Sequence, residues 1–252
     1  MQATVQQTKP MEPLANLASR ILAISSSKQA VAPSEPVYDC NRCQDTAWIV
    51  VPGDGAKLCE CEKRKRVERR LARIPAEYRA FDLATIQPMA EKHAKQERLF
   101  ATVKADPGVS LMMYGKNGCG KSLVGWLLYK RAIEDGRPAI FLSLSELMRQ
   151  FREWELDPLK LAVIDAASLR ETKARWLIVL DEAEKARPTE FASEKLCDLL
   201  DAIYTNRHQL VVTSNFSPSD LREHWSRQNP VYGTSILRRV MELDGLKDVD
   251  LF

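Results

Sequence analysis

The sequence lacks a segment that could cross a membrane, because no apolar run approaches the roughly 20 residues that a membrane helix needs. Its amino terminus has no basic start, and Arg20 interrupts the apolar stretch there, so no secretory signal peptide is expected. We therefore expect a cytoplasmic protein with no membrane partner and with reduced cysteines. In that compartment, clustered cysteines are more often metal ligands than disulfides.

The sequence also lacks a strong charge of either sign. Its 37 basic and 34 acidic side chains leave a net charge of +3, which is too weak to indicate a nucleic-acid-binding protein by itself. It has no internal repeat and no long low-complexity tract. A chain of 252 residues can hold one full-sized domain and a small appendage. We predict a tail over 1–36, a metal module with a basic linker helix over 37–74, and the main domain over 75–252.

The tail is rich in Gln, Ser, Pro and Ala. Its apolar residues recur at helical spacing, which is typical either of a short partner-binding helix or of a disordered leader. These residues are Leu14, Leu17, Ile21 and Leu22.

From about residue 107, short apolar segments alternate with amphipathic ones. The apolar segments are "VSLMMYG", "PAIFLSL", "RWLIVLDEAE" and "QLVVTSN". Strands that alternate with helices in this way predict an α/β fold, in which helices cover both faces of a parallel sheet.

The sequence "GKNGCGKS" follows the first of these strands and opens a helix, which is the context of a phosphate-binding loop. Glycines let backbone N–H groups turn towards phosphate oxygens, and the helix amino terminus adds positive potential. We expect Lys121 to reach the β- and γ-phosphates of ATP or ADP and Ser122 to bind Mg²⁺. The loop consists of Gly115, Lys116, Asn117, Gly118, Cys119, Gly120, Lys121 and Ser122.

Two further strands end in polar residues. "LIVLDE" ends in Asp181 and Glu182, and its carboxylates should lie at the carboxyl edge of the sheet, beside the phosphate loop. We expect Asp181 to hold Mg²⁺ and Glu182 to activate the attacking water as a general base. The strand "LVVTSN" ends in Asn215, whose amide can hydrogen-bond both that water and the γ-phosphate.

Four cysteines lie in the short stretch 40–61. Two pairs of thiolates at the ends of a hairpin can close a tetrahedral zinc site, although the second pair has one intervening residue where two or more are usual. Unliganded thiols and an iron–sulfur cluster are the alternatives. The basic helix that follows, "EKRKRVERRLAR", suits phosphates, an acidic partner or plain exposure to solvent. The proposed ligands are Cys40, Cys43, Cys59 and Cys61.

Taken together, these motifs resemble those of AAA+ ATPases, and more closely those of DnaC-type bacterial helicase loaders and IstB-type transposition helpers. The stretches that carry the resemblance are "CNRC…CEC", "RIPAEYRAFDL", "LMMYGKNGCGKS", "LIVLDEAEK", "EKLCDLLDAIYTNRHQLVVTSN" and "SILRRVMEL". The resemblance implies slow, switch-like ATP hydrolysis, a replicative hexameric helicase and single-stranded DNA as partners, and self-association with the ATP site between subunits. It also implies an arginine that completes the neighbouring subunit's site, for which "SILRRV" offers Arg239 or Arg238.

Contacts with single-stranded DNA would need basic and aromatic side chains. The stretch "MRQFREWELDPLK" offers such side chains, but its aromatic residues are more typical of core packing and its arginines of a solvated face. The candidates are Arg149, Phe151, Arg152, Trp154 and Lys160.

Three other functions compete with helicase loading. The alternative nearest to it is a transposition helper acting on target DNA and a transposase, which does not require the cysteine module. A small-molecule kinase would need a second substrate site, and none can be recognised. A DNA-binding regulator with a degenerate ATPase is disfavoured by the intact Lys121, Ser122, Asp181 and Glu182.

Overall fold

A computed structural model of the chain divides it into two compact units, residues 1–61 and 62–252. We call them the cysteine unit and the sheet unit, and we describe each by itself. The tail predicted over 1–36 lies outside the described residues, and the predicted domain boundaries stay predictions. The structure describes residues 38–53, 55–88, 93–156, 166–227, 230–242 and 247–251.

The cysteine unit contains an antiparallel hairpin, as predicted. Strands β1 (Trp48–Val51) and β2 (Gly55–Leu58) pair so that Trp48 faces Leu58 and Val51 faces Gly55. Helix α1 (Glu60–Leu71) follows directly. The hairpin thus brings the two cysteine pairs at its ends close together.

The sheet unit is built on five parallel strands in the spatial order β4-β5-β6-β3-β7, which confirms the predicted parallel sheet. The edge strand β7 was not predicted from the sequence. The strands are β3 (Leu111–Tyr114), β4 (Ala139–Ser143), β5 (Leu177–Asp181), β6 (Gln209–Ser214) and β7 (Lys247–Asp250). The helices are α2 (Ala76–Arg79), α3 (His93–Ala105), α4 (Lys121–Glu134), α5 (Leu144–Leu156), α6 (Ala166–Glu171), α7 (Glu190–Thr205), α8 (Pro218–Ser226) and α9 (Pro230–Met241).

Both faces of this sheet are buried. Consecutive residues of a strand point to opposite faces, so Leu111 and Val179 join one apolar cluster while Met112 and Ile178 join another. The first cluster includes α3 and α4 side chains, and the second includes α5, α7, α8 and α9 side chains. Burial on both faces explains why the strands are almost uninterrupted apolar runs.

Helix α5 begins directly after β4 and is capped by Ser143, whose hydroxyl accepts a hydrogen bond from the Glu146 N–H at 3.2 Å. Within the described residues, no helix combines the length and apolarity needed to span a bilayer.

Candidate functional site

The phosphate loop connects β3 to α4, and its glycines have backbone angles that suit a tight turn. Gly120 has a φ of 99° and directly precedes α4. Other residues rarely adopt this left-handed conformation, because a Cβ atom would clash with the backbone. The loop therefore delivers Lys121 and Ser122 to the first turn of the helix, where the backbone N–H groups have no intrahelical partners.

Lys121 is buried at the mouth of the loop. Its ammonium group donates hydrogen bonds to the backbone oxygens of Gly115 at 2.8 Å and Lys116 at 3.0 Å, and to Oδ1 of Asn215 at 3.0 Å. The structure thus brings together two predicted site residues that lie far apart in the sequence, because β6 lies directly beside β3.

Ser122 lies against Asp181 at the end of β5. The Ser122 hydroxyl is 3.1 Å from both carboxylate oxygens, and the Thr213 hydroxyl also donates to this carboxylate. Burial raises the pKa of Asp181 above its usual range, while hydrogen bonds from Thr213 and Ser122 oppose the rise. A hydroxyl and a half-buried carboxylate are the oxygen ligands that Mg²⁺ prefers, so the residues present fit that ion.

Glu182 follows Asp181 in a left-handed backbone conformation with a φ of 55°. Its N–H donates to the Thr213 hydroxyl at 3.1 Å, and its carboxylate forms an ion pair with Lys185. Hydrogen bonding to Glu182 raises the pKa of Lys185. In this conformation, the carboxylate predicted to act as a base is therefore already engaged by a cation.

Two residues that the sequence reasoning missed hold this site together. Thr213 bridges Asp181 and the Glu182 N–H, and Glu184 accepts three hydrogen bonds from the end of β6. Their only sequence signals are a hydroxyl near the end of the apolar run "LVVTSN" and an extra acid in "LDEAEK".

A cavity of about 350 Å³ opens beside the loop. Lys121, Ser122, Glu182 and Asn215 line its polar side. Its other side is aromatic and apolar, and it is formed by chain upstream of the loop. A volume of this size and a wall of mixed polarity are typical of a small-molecule site. The apolar side consists of Tyr78, Phe81, Ile86 and Phe100.

The two candidate arginines in α9 have different surroundings. Arg239 forms an ion pair with Asp201 of α7, with Nη2 3.0 Å from Oδ2, and this contact raises its pKa. Arg238 is more exposed, and its Nε lies 3.6 Å from Glu242 of the same chain. The fold therefore gives Arg239 a fixed position that Arg238 lacks.

The candidate DNA contacts are only partly accessible. Phe151 is buried in the core, which agrees with the core-packing alternative and not with stacking on DNA. Arg149 pairs with Glu146 and Glu153, whereas Arg152 is exposed and lines a small cavity. The side chain of Trp154 and all of Lys160 lie outside the described residues.

The four thiols of the cysteine unit converge as predicted. All four Sγ atoms lie within 4.8 Å of one another, with Cys40 and Cys59 3.8 Å apart and Cys43 and Cys61 3.4 Å apart. A tetrahedral zinc site with Zn–S bonds of about 2.3 Å needs sulfur–sulfur separations of about 3.8 Å. The cluster therefore has the dimensions of a site for one ion.

Hydrogen bonds within the cluster shift the pKa values of two thiols in opposite directions. Backbone N–H groups of Cys43 and Arg42 lower the pKa of Cys40 to about 6, whereas hydrogen bonding with Cys43 raises that of Cys61 to about 12. The first of these effects favours a thiolate, which is the form that binds metal. A cation among the four sulfurs would favour deprotonation of the remaining thiols.

No family model matches this sequence, and none of the curated proteins matches it. Solved structures do. The crystal structure of DnaI aligns with a TM-score of 0.53 and 18% identity, over 73% of this chain and 97% of that one. The crystal structure of the DnaC helicase loader aligns with a TM-score of 0.52 and 18% identity, over 69% and 99%. The replication initiator DnaA bound to AMPPCP and single-stranded DNA aligns with a TM-score of 0.51 and 13% identity, over 68% and 50%.

At these identities the likeness shows the fold. The sheet unit has the fold of these structures, a parallel sheet flanked by helices, and a four-cysteine cluster precedes it, as predicted. The predicted resemblance to DnaC-type helicase loaders is confirmed at the level of structure.

Proposed function

We propose that this protein is an ATP-dependent loader of a replicative helicase onto single-stranded DNA. One observation carries the proposal: Lys121, Ser122, Asp181 and Asn215 converge at one sheet edge, in a fold shared with DnaI and the DnaC helicase loader. Convergence of a lysine, a hydroxyl, a carboxylate and an amide is what binding of a nucleoside triphosphate requires.

In the proposed mechanism, ATP occupies the cavity beside the phosphate loop. The loop N–H groups and Lys121 hold the phosphates, and the apolar wall around Tyr78 and Phe81 suits the base. Ser122 and Asp181 would hold Mg²⁺, which neutralises phosphate charge when bound. Glu182 accepts a proton from the attacking water, and Asn215 orients that water.

The ion pair between Glu182 and Lys185 supports a slow, switch-like ATPase. A carboxylate oxygen that accepts a hydrogen bond from an ammonium group is not free to accept one from the attacking water. Hydrolysis then requires that the ion pair between Glu182 and Lys185 break first. Such a delay suits a protein whose ATP-bound state carries the function.

We also propose that neighbouring copies of the chain complete each other's ATP site through Arg239. A guanidinium stays charged and spreads its donors over a transferring phosphate. Because Asp201 holds this side chain, it is already ordered before a neighbour arrives.

This self-association can be tested by mixing variants. A preparation of Arg239→Ala should hydrolyse ATP slowly, and so should one of Lys121→Ala. Mixed assemblies of the two should recover activity, because one subunit supplies the arginine and the other supplies the loop. The matched control is Arg238→Ala, which should keep its activity unmixed. Failure of the mixture to recover would place Arg239 in its own subunit's site or outside the reaction.

The proposed partners are a hexameric helicase, bound through the module that we predict over 37–74, and single-stranded DNA. One of the structures that the chain resembles is DnaA with single-stranded DNA bound. In this chain, Arg152, Lys185 and Arg187 line one small cavity, and such a cationic cluster suits phosphates. We expect the protein to work in the cytoplasm.

The loader function is tested by capture of a helicase. Tagged Glu182→Gln protein, which should bind ATP without hydrolysing it, is mixed with the host's replicative helicase and ATP, and the mass of the complex is measured. We expect a stable complex, which the Cys59→Ser variant should fail to form although it still binds nucleotide. Retention of a transposase in place of the helicase would favour the transposition helper and overturn the loader assignment.

A further inference from the structure

Glu184 lies in the short 3₁₀ turn Ala183–Lys185, immediately after the acidic pair. One of its oxygens accepts hydrogen bonds from the Ser214 hydroxyl and from the Asn215 N–H, both at 3.1 Å. The other accepts from the side-chain Nδ2 of Asn215 at 2.7 Å. The carboxylate is therefore fixed on the end of β6 and holds Asn215 by both its backbone and its side chain.

These contacts decide which way the Asn215 amide points. A carboxylate can only accept hydrogen bonds, so the NH₂ end of the amide must face Glu184. An ammonium group can only donate, so the carbonyl end must face Lys121, 3.0 Å away. Both neighbours impose the same orientation, which leaves the second N–H of the amide to serve a ligand.

We propose that Glu184 is a positioning residue that sets the Asn215 amide to detect the γ-phosphate. The proposal rests on the nucleotide site described above, and it adds a residue to which neither the sequence motifs nor the resemblance assigns a role. An N–H directed into the site attracts a phosphate oxygen, whereas a rotated amide would present its carbonyl oxygen and repel it. Glu184 thus favours a triphosphate over a diphosphate through its hold on Asn215.

The experiment compares the affinities of the full chain for a non-hydrolysable ATP analogue and for ADP, each with Mg²⁺. In Glu184→Ala, we expect the dissociation constant for the analogue to rise about tenfold, the size of one hydrogen bond to a charged group, and that for ADP to stay within about twofold. Unfolding of the variant would instead weaken the binding of both nucleotides. Equal weakening of both, or of neither, would overturn the proposal.

Two further variants separate positioning from folding. Glu184→Gln keeps an acceptor for the Asn215 NH₂ group and should recover part of the preference for the triphosphate. The double variant Glu184→Ala with Asn215→Ala should show no more loss of that preference than Asn215→Ala alone, since Glu184 acts through Asn215. If the two substitutions reduced the preference for the triphosphate additively, Glu184 would not act through Asn215. Glu190→Ala, an exposed acid in the first turn of α7, is the matched control.

The outcome is distinguishable from failure of the loader proposal. Helicase capture can fail while the triphosphate preference and its dependence on Glu184 remain, and only the loader assignment then falls. If the unaltered chain binds both nucleotides equally, the Glu184 proposal falls whether or not a helicase is captured.

Discussion

The cysteine unit and the sheet unit differ in what lies inside them. Among its described residues, the cysteine unit buries only Cys43 and Cys59, and its hairpin leaves Trp48 and Val50 exposed. The sheet unit has two large apolar clusters, one on each face of the sheet. We therefore expect the first unit to depend on a metal held by its four thiols, whereas the second depends on burial of apolar surface.

Because of this difference, we expect the two units to unfold under different conditions. The proposed metal ligands all lie within residues 40–61, so that site is closed by a local stretch of chain. The proposed nucleotide site is assembled by strands that are distant in sequence, so we expect it to persist as long as the sheet persists. Removal of a metal should therefore unfold the cysteine unit and leave the sheet unit folded. The predictions below use this contrast.

The largest expected effect is that of zinc removal on the cysteine unit. A structural zinc contributes on the order of 10 kcal/mol to the folding of such a module, so chelation or Cys59→Ser should unfold the hairpin. The sheet unit should keep its thermal transition and its ATP affinity. Metal analysis, circular dichroism and nucleotide titration on the same sample provide the measurement.

The matched control is Cys197→Ser, which changes a thiol on α7 outside the cluster and should keep about one zinc per chain. Zinc-free protein with an intact hairpin would refute the contrast between the units.

The next effect is confined to the sheet unit. Lys121→Ala should weaken ATP binding on the order of 100-fold, because a buried ammonium group makes more than one charged hydrogen bond to the phosphates. The zinc content should not change. Titration with a fluorescent ATP analogue measures the loss, and Lys173→Ala, which alters an exposed lysine, is the control. Unchanged affinity would mean that the phosphates bind elsewhere.

The smallest effect concerns the stability of the sheet unit against pH. Burial raises the pKa of Asp181, so the folded state binds its proton more readily than the unfolded state. The stabilisation from Asp181 is fully present when the pH is below its ordinary pKa of 3.8. It is lost as the pH rises through the raised pKa of the folded state. At neutral pH the ionised carboxylate therefore destabilises the protein in the absence of Mg²⁺.

Asp181→Asn should remove this cost and raise the free energy of unfolding at pH 7 by a few tenths to about 1 kcal/mol. At pH 4 the gain should shrink, and at both pH values Mg²⁺ should no longer stabilise the variant. Urea unfolding with and without Mg²⁺ measures these differences. A loss of stability at pH 7 would show that the hydrogen bonds from Ser122 and Thr213 outweigh the cost of burying the charge.

The sequence predicted the groups that lie at the ends of apolar runs. The phosphate loop, Asp181 and Asn215 each follow a strand, and parallel pairing brings strand ends to one edge of the sheet. Local pattern and general topology suffice for such residues. The convergence of the four cysteines was equally predictable from the sequence, because a hairpin connects the two pairs.

The missed features depend on contacts between distant parts of the chain. Thr213 reaches Asp181 and Glu184 reaches the end of β6 only after β5 and β6 have paired. Nothing in the sequence around either residue indicates these contacts. Strand β7 escaped prediction because "KDVD" carries three charges and lies at the sheet edge, where apolar side chains are not required. Phe151 was ambiguous because an aromatic residue on a helix suits either a core or a stacking surface.

The loop after β3 lies close to the end of the edge strand at Gly115. A Cβ atom at this position would lie 2.7 Å from the backbone carbon of Leu251, which directly follows β7. This strand is the next described element after α9, the helix that carries Arg239. Even a methyl group at position 115 would thus displace Leu251 and, with it, the end of the edge strand that pairs with β3, so a substitution in the loop would also disturb the margin of the sheet.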